Sequence, residues 1–98
     1  MSTQEEQPVW IEGSVLCVRL GATPDELHAL TEAGLLPRPI EARYLLAPPA
    51  LCTLRRTLQI RHELAIDLAG AAVVAELVDQ LRALRAELRA LERLLLTE

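Results

Sequence analysis

The sequence predicts a mainly α protein: a small winged helix-turn-helix followed by a pair of helices, the second of them a long coiled-coil dimerisation helix. Three observations lead there. The segment Gly21 to Gly34 carries helix punctuation at both of its ends. Val74, Leu77, Leu81, Leu84, Leu88, Leu91 and Leu95 recur three and four apart in alternation, which puts one apolar residue at every a and d position. Trp10 and Tyr44 are the sole aromatics in 98 residues. One core must therefore be assembled from Leu, Val, Ile and Ala, a composition that favours helices.

Residues 1–8 are polar and acidic and read as a flexible tail. Val9 to Ile11 follow as a short extended segment, and Gly13 and Ser14 lead into a first helix, Val15 to Leu20. Gly21 and Ala22 make a tight turn. The second helix is the best marked: Thr23 is its N-cap, Pro24 suits its first position, and Glu26 completes a Thr-x-x-Glu capping box. Gly34 can take the left-handed conformation that stops it, letting Leu35 fold back on Leu27 and Leu30. Two short helices joined by a glycine turn make a helix-turn-helix.

Pro37 and Pro39 forbid helix beyond Leu36, and Arg43 to Leu46 read as the return strand of a small hairpin, a wing that closes a region spanning 9–46. Pro48-Pro49 opens the next region, 47–98. There Leu51, Leu54, Leu58, Ile60 and Leu64 give a third helix its apolar face, while Arg55, Arg56, Arg61 and His62 lie on the other. Asp67 N-caps the last helix, Leu68 to about Leu95, roughly 40 Å long at ~1.5 Å per residue. Ala69-Gly70-Ala71-Ala72 near its start leaves room for another backbone. The two regions together form one structural domain.

The leucine stripe needs a partner. Each buried leucine is worth about 1.5–3 kcal/mol, so six left in water would forfeit much of the ~5–15 kcal/mol that holds a small domain together. Homodimerisation is the simplest remedy, and pairing with a different protein is the other. A parallel pair sets Glu87 against Glu92 of its mate, whereas an antiparallel pair brings Arg85 near Glu92. Such contacts are worth under ~1 kcal/mol and leave the orientation open.

The net charge of -4 belongs to the first half, where seven acids up to residue 54 face only Arg19, Arg38 and Arg43. The second helix, in the place of a DNA recognition helix, carries Asp25, Glu26 and Glu32, with no Arg or Lys between Leu20 and Pro37. That sign repels phosphate and suits a cationic polypeptide. Asp25, Glu26 and Glu32 are therefore the candidate partner-binding residues, with Leu36 as an apolar anchor. Each has a purely structural alternative: Asp25 and Glu26 suit the helix dipole, Glu26 is also a cap, and Leu36 suits the core.

His28 reads as ordinary surface, and His62 as a structural hydrogen bond at the junction of the last two helices. Arg55, Arg56 and Arg61 are too widely spread for a nucleic-acid stripe and read as ion pairs within a dimer. Cys17 and Cys52, far apart and outside any paired-cysteine motif, read as buried small apolar residues, so no metal is expected. No cofactor loop, nucleophile–base pair or set carboxylate pair points to an enzyme. Neither a membrane-spanning run nor an export signal is evident, and the expected location is cytoplasmic.

The order short helix, Gly turn, Thr-Pro-capped helix, Glu-x-Gly-Leu-Leu-Pro, hairpin, third helix and coiled-coil helix resembles a MerR-type regulator. Within that superfamily, Leu54-Arg55-Arg56-Thr57-Leu58-Gln59-Ile60-Arg61-His62-Glu63-Leu64-Ala65-Ile66-Asp67, followed by Gly70-Ala71-Ala72 and Leu77-Val78-Asp79, resembles the chaperone-modulator family CbpM. Arg61-His62-Glu63-Leu64-Ala65 with Asp67 is the most specific part, and the similarity runs from about Val9 to Leu95. It implies a non-enzymatic inhibitory adaptor that binds the J-domain of a CbpA-type co-chaperone and stops it stimulating a DnaK-type chaperone. A J-domain presents a basic helix, which an acidic competitor can cover.

Departures from both groups are visible. DNA-binding MerR-type regulators follow the helix-2 leucine with Arg and an aromatic pair, but Leu27 precedes His28, Ala29 and Leu30. No cysteine follows Cys52, where metal-sensing members place theirs. The wing stretch Tyr44-Leu45-Leu46-Ala47-Pro48-Pro49 lacks the Trp and acidic pair of close CbpM relatives. The alternative is a MerR-type transcription regulator touching operator DNA through His28, Arg19, Arg38 and Arg43.

Overall fold

Two glycine-terminated turns shape the N-terminal half of the computed structural model, which describes residues 7–97. Strand β1 (Val9–Glu12) runs directly into α1 (Gly13–Leu20), and α2 (Pro24–Glu32) follows. At the end of α1, Gly21 sits at φ 65° while the Ala22 N–H donates to the Cys17 carbonyl at 2.9 Å. At the end of α2, Gly34 sits at φ 79° and the Leu35 N–H donates to the Leu30 carbonyl at 3.0 Å. Both are Schellman closures, in which a left-handed residue lets the chain reverse and satisfy orphan carbonyls. The start of α2 carries the predicted capping box: Thr23 Oγ1 accepts from the Glu26 N–H at 3.1 Å, and Glu26 Oε1 accepts from the Thr23 N–H at 3.0 Å. Of the tail expected over residues 1–8, the first six lie outside the described residues.

The wing closes differently from a local hairpin. Strand β2 (Arg43–Leu46) pairs antiparallel with β1, in the register Val9↔Leu46, Trp10↔Leu45, Ile11↔Tyr44 and Glu12↔Arg43. Within residues 36–46 the pairing is confined to an Ile40–Arg43 bridge, whose two-residue turn holds Glu41 at φ 52° and Ala42 at φ 63°. Pro37 and Pro39 explain this, because an arm lacking two N–H donors cannot ladder with β2, and β1 supplies the edge instead. The turn has the two positive-φ positions of type I′ without the usual Asn-Gly. Tyr44 and Leu46 point into the core and alternate with exposed Arg43 and Leu45.

Leu16, Leu20, Leu27, Leu30, Leu36, Tyr44, Leu46, Leu54, Leu58 and Leu68 form the core, which joins the helix-turn-helix to α3 (Pro48–Leu64) and the foot of α4 (Leu68–Leu96). The apolar face predicted for α3 is shorter than its leucines suggest. Leu54 and Leu58 are buried, but Ile60 is half-buried and Leu64 lies 56% exposed, because α3 has run past the core by then. Thr57 is buried instead, and its hydroxyl donates to the Thr53 carbonyl at 2.8 Å. The cysteine expectation is corrected too: Cys17 is half-buried and Cys52 faces solvent on the outer side of α3.

Helix α3 ends on Ala65 in the left-handed conformation (φ 55°), and α4 begins two residues later with the predicted Asp67 cap, whose Oδ1 accepts from the Gly70 N–H at 2.8 Å. A Cβ on Gly70 would meet that oxygen at 3.0 Å, so this glycine serves the cap. Close packing falls to Ala71 and Ala75, both buried. Arg56 pairs with Asp79 between α3 and α4, within the chain. From Gln80 onward every described residue is exposed.

Candidate partner-binding surface

The carboxylates singled out on α2 divide into two kinds. Glu26 is largely enclosed, its side chain 18% exposed. One oxygen accepts from the Thr23 N–H, and the other lies 2.6 Å from His62 Nε2, which reaches across from α3. The Thr23 N–H holds its carboxyl below the usual carboxylate range, and the His62 contact pulls the same way, while partial burial opposes them. Glu26 thus closes the start of α2 and ties α2 to α3.

Asp25 and Glu32 are the free-facing pair. Both are exposed, Asp25 in the first turn and Glu32 in the last. His28 Nε2 lies 3.7 Å from Glu32 Oε2 in an open contact with both side chains mostly in water. Leu36 belongs elsewhere, being 3% exposed among Leu16, Leu30 and the rest of the core. The Gly34 reversal carries the chain back under α2 and takes Leu36 with it, so it cannot anchor a partner from the surface. His62 is corrected as well: its partner is Glu26 of α2, not a group at the α3–α4 junction.

The arginines assigned to the DNA alternative, Arg19, Arg38 and Arg43, all lie outside α2. Arg19 sits in the last turn of α1, where a cation suits the helix dipole. Arg43 lies over the Trp10 ring, 5.9 Å from its centroid, and 3.7 Å from Glu41. Helix α2 itself carries no basic residue apart from His28.

The other candidate surface is the leucine stripe. Val74 is half-buried against the domain, whereas Leu77, Leu81, Leu84, Leu88, Leu91 and Leu95 are all exposed along one side of α4. Beyond the foot of α4 nothing among the described residues covers them. No helix among the described residues is long and apolar enough to cross a membrane.

A MerR HTH family regulatory protein model matches residues 11–93, the span from β1 almost to the tip of α4. The chaperone modulatory proteins CbpM of Shigella boydii serotype 18 and of Escherichia coli strain SE11 are each 33% identical over 79 residues, covering 79% of this chain and 78% of the relative. The chain belongs to the CbpM family. Its fold is accordingly MerR-like, a helix-turn-helix followed by a long C-terminal helix, and the relatives are named as modulators. The sequence offered two signals for the membership, the Thr-Pro capping box and the Arg61-His62-Glu63 stretch, and the structure joins them through the His62–Glu26 contact. Separated by 36 positions, that contact has no periodicity or motif to announce it in the sequence.

Proposed function

We propose that this CbpM family member is a cytoplasmic, non-enzymatic adaptor that binds the J-domain of a CbpA-type co-chaperone and blocks its stimulation of a DnaK-type chaperone. The observation that carries the reading is the display of Asp25 and Glu32 on α2, in the place of a recognition helix, on a helix that holds no arginine. An exposed acidic helix favours a basic helical surface through both encounter rate and register. Glu26 contributes by fixing the first turn of α2 more than by touching the partner.

The acting unit is a homodimer joined along Leu77 to Leu95 of α4. Exposure of this stripe supports the pairing, since a run of a and d leucines is stable in water only when buried against another helix. Dimerisation leaves one acidic helix on each protomer and gives two J-domain sites.

Isothermal titration of the chain into the cognate J-domain tests the reading. Association is expected at low salt, weakening several-fold between about 0.05 and 0.3 M salt as screening sets in. Asp25→Asn with Glu32→Gln is expected to weaken it about tenfold. Absence of heat together with a shifted band on genomic DNA would favour the transcription-regulator alternative instead.

A further inference from the structure

We infer that His28 and His62 set the charge of the α2 face, so that acidification releases the cationic partner; the inference rests on the reading just proposed. The chain has two histidines, and each lies against a carboxylate of the same short helix. They arrive by different routes. His28 belongs to α2 and sits one turn before Glu32, 3.7 Å away, while His62 comes from α3 and stands 2.6 Å from Glu26.

Imidazole is the side chain that takes up a proton between about pH 8 and 5. A proton on both rings places two positive charges beside Asp25, Glu26 and Glu32. Across the three carboxylates of α2 and the two rings the net charge then goes from -3 to -1, the Glu26–His62 part acting at a distance because Glu26 is largely enclosed. Attraction for a basic surface falls with it, and the change is concentrated on one helix.

The remaining neighbours do not cancel the effect. On α3, Arg55 shares a shallow pocket with Gln59 and His62, lined also by Leu20 at the end of α1 and by its cap Gly21, which carry no charge. Arg61 acts on the Glu26 carboxylate from the same helix. Glu63 is engaged by the Gln59 amide at 3.3 Å. On its own helix His28 has Asp25 three positions before it and Glu32 four after it, and Glu32 is its ion-pair contact among the described residues. Both arginines keep their charge throughout the range.

The test titrates the wild-type chain and a His28→Gln/His62→Gln variant with the J-domain at about pH 8 and about pH 5.5, at fixed ionic strength. Glutamine keeps an N–H donor for each carboxylate and takes up no proton. The wild-type Kd is expected to rise about tenfold on acidification and that of the variant about twofold or less, the difference excluding groups that titrate on the partner. His28→Gln alone, at a solvent-facing position where folding is not at stake, is expected to remove about half of the effect on a logarithmic scale. Equal pH profiles for wild type and both variants would overturn the charge control and leave the partner assignment standing. No binding by the wild type at about pH 8 would overturn both.

Discussion

Leu30 in α2 and Leu84 in α4 are the same side chain in helices of one chain, yet the first is wholly buried and the second is 62% exposed. The helix-turn-helix half satisfies itself: each short helix is capped, its leucines meet in one core, and its reversals use left-handed glycines. The distal half of α4 has equally regular leucines and nothing among the described residues to cover them. Local order is complete in both, but only one region has its burial within the chain. On the proposed reading, a protein divided in this way takes a second molecule for stability along α4 and another for function along α2.

The comparison is sharpest in paired leucine variants. Leu30→Ala is expected to lower stability by about 2–5 kcal/mol, because it removes a fully enclosed side chain and leaves a cavity. That loss should appear at every protein concentration in chemical denaturation. Leu84→Asp with Leu88→Asp is expected to leave the fold of the first half intact and abolish self-association, so that the melting temperature ceases to depend on concentration. Sedimentation reads the second outcome directly; a wild-type chain already monomeric at about 100 μM would remove the contrast between the halves.

Smaller effects separate the devices that hold the first half together. Thr23→Ala removes one arm of the capping box and is expected to lower stability by about 1 kcal/mol. Arg56→Gln breaks the pair with Asp79 and should change stability by under ~1 kcal/mol, since both groups are partly in water and screened by salt. Thermal melts at low and high salt discriminate the two, because the capping loss persists in salt and the ion-pair loss shrinks.

Much of this architecture was legible because it is written in local signals. Thr23, Pro24, Glu26 and Gly34 mark α2 within a dozen positions, Asp67 marks α4, and the stripe from Val74 to Leu95 declares an uncovered face by its spacing. What the residues did not disclose is tertiary. Pro37 and Pro39 were readable as helix breakers, but their removal of ladder donors, which gives β2 to the N-terminal strand, depends on β1 being near. Leu36 looked like an anchor because it follows the helix stop, and only the direction taken after Gly34 places it in the core. Exposed Cys52 and Leu64 fail the apolar-means-buried inference for different reasons: Cys52 lies on the outer side of α3 beside the core, and Leu64 lies where α3 has run past it. His62 meeting Glu26 joins two helices whose relative position no local pattern specifies.

The smallest expected effect tests whether the α2–α3 tie belongs to the fold of the self-sufficient half. The carboxyl of Glu26 is held below its reference value of 4.5, chiefly by the Thr23 N–H and then by His62. A carboxyl depressed in the folded state adds stability that is fully present above its unfolded pKa and is lost as pH falls through the lower folded value. Wild type is therefore expected to lose stability on acidification below about pH 4.5 more steeply than Glu26→Gln, whose amide oxygen can still accept from Thr23 but takes up no proton. Melting temperatures of the two proteins, followed from about pH 6 to about pH 2.5, should start apart and converge. Parallel curves would mean that Glu26 is as well solvated in the folded chain as in the unfolded one, and the closed N-terminus of α2 would then need no charge from this residue.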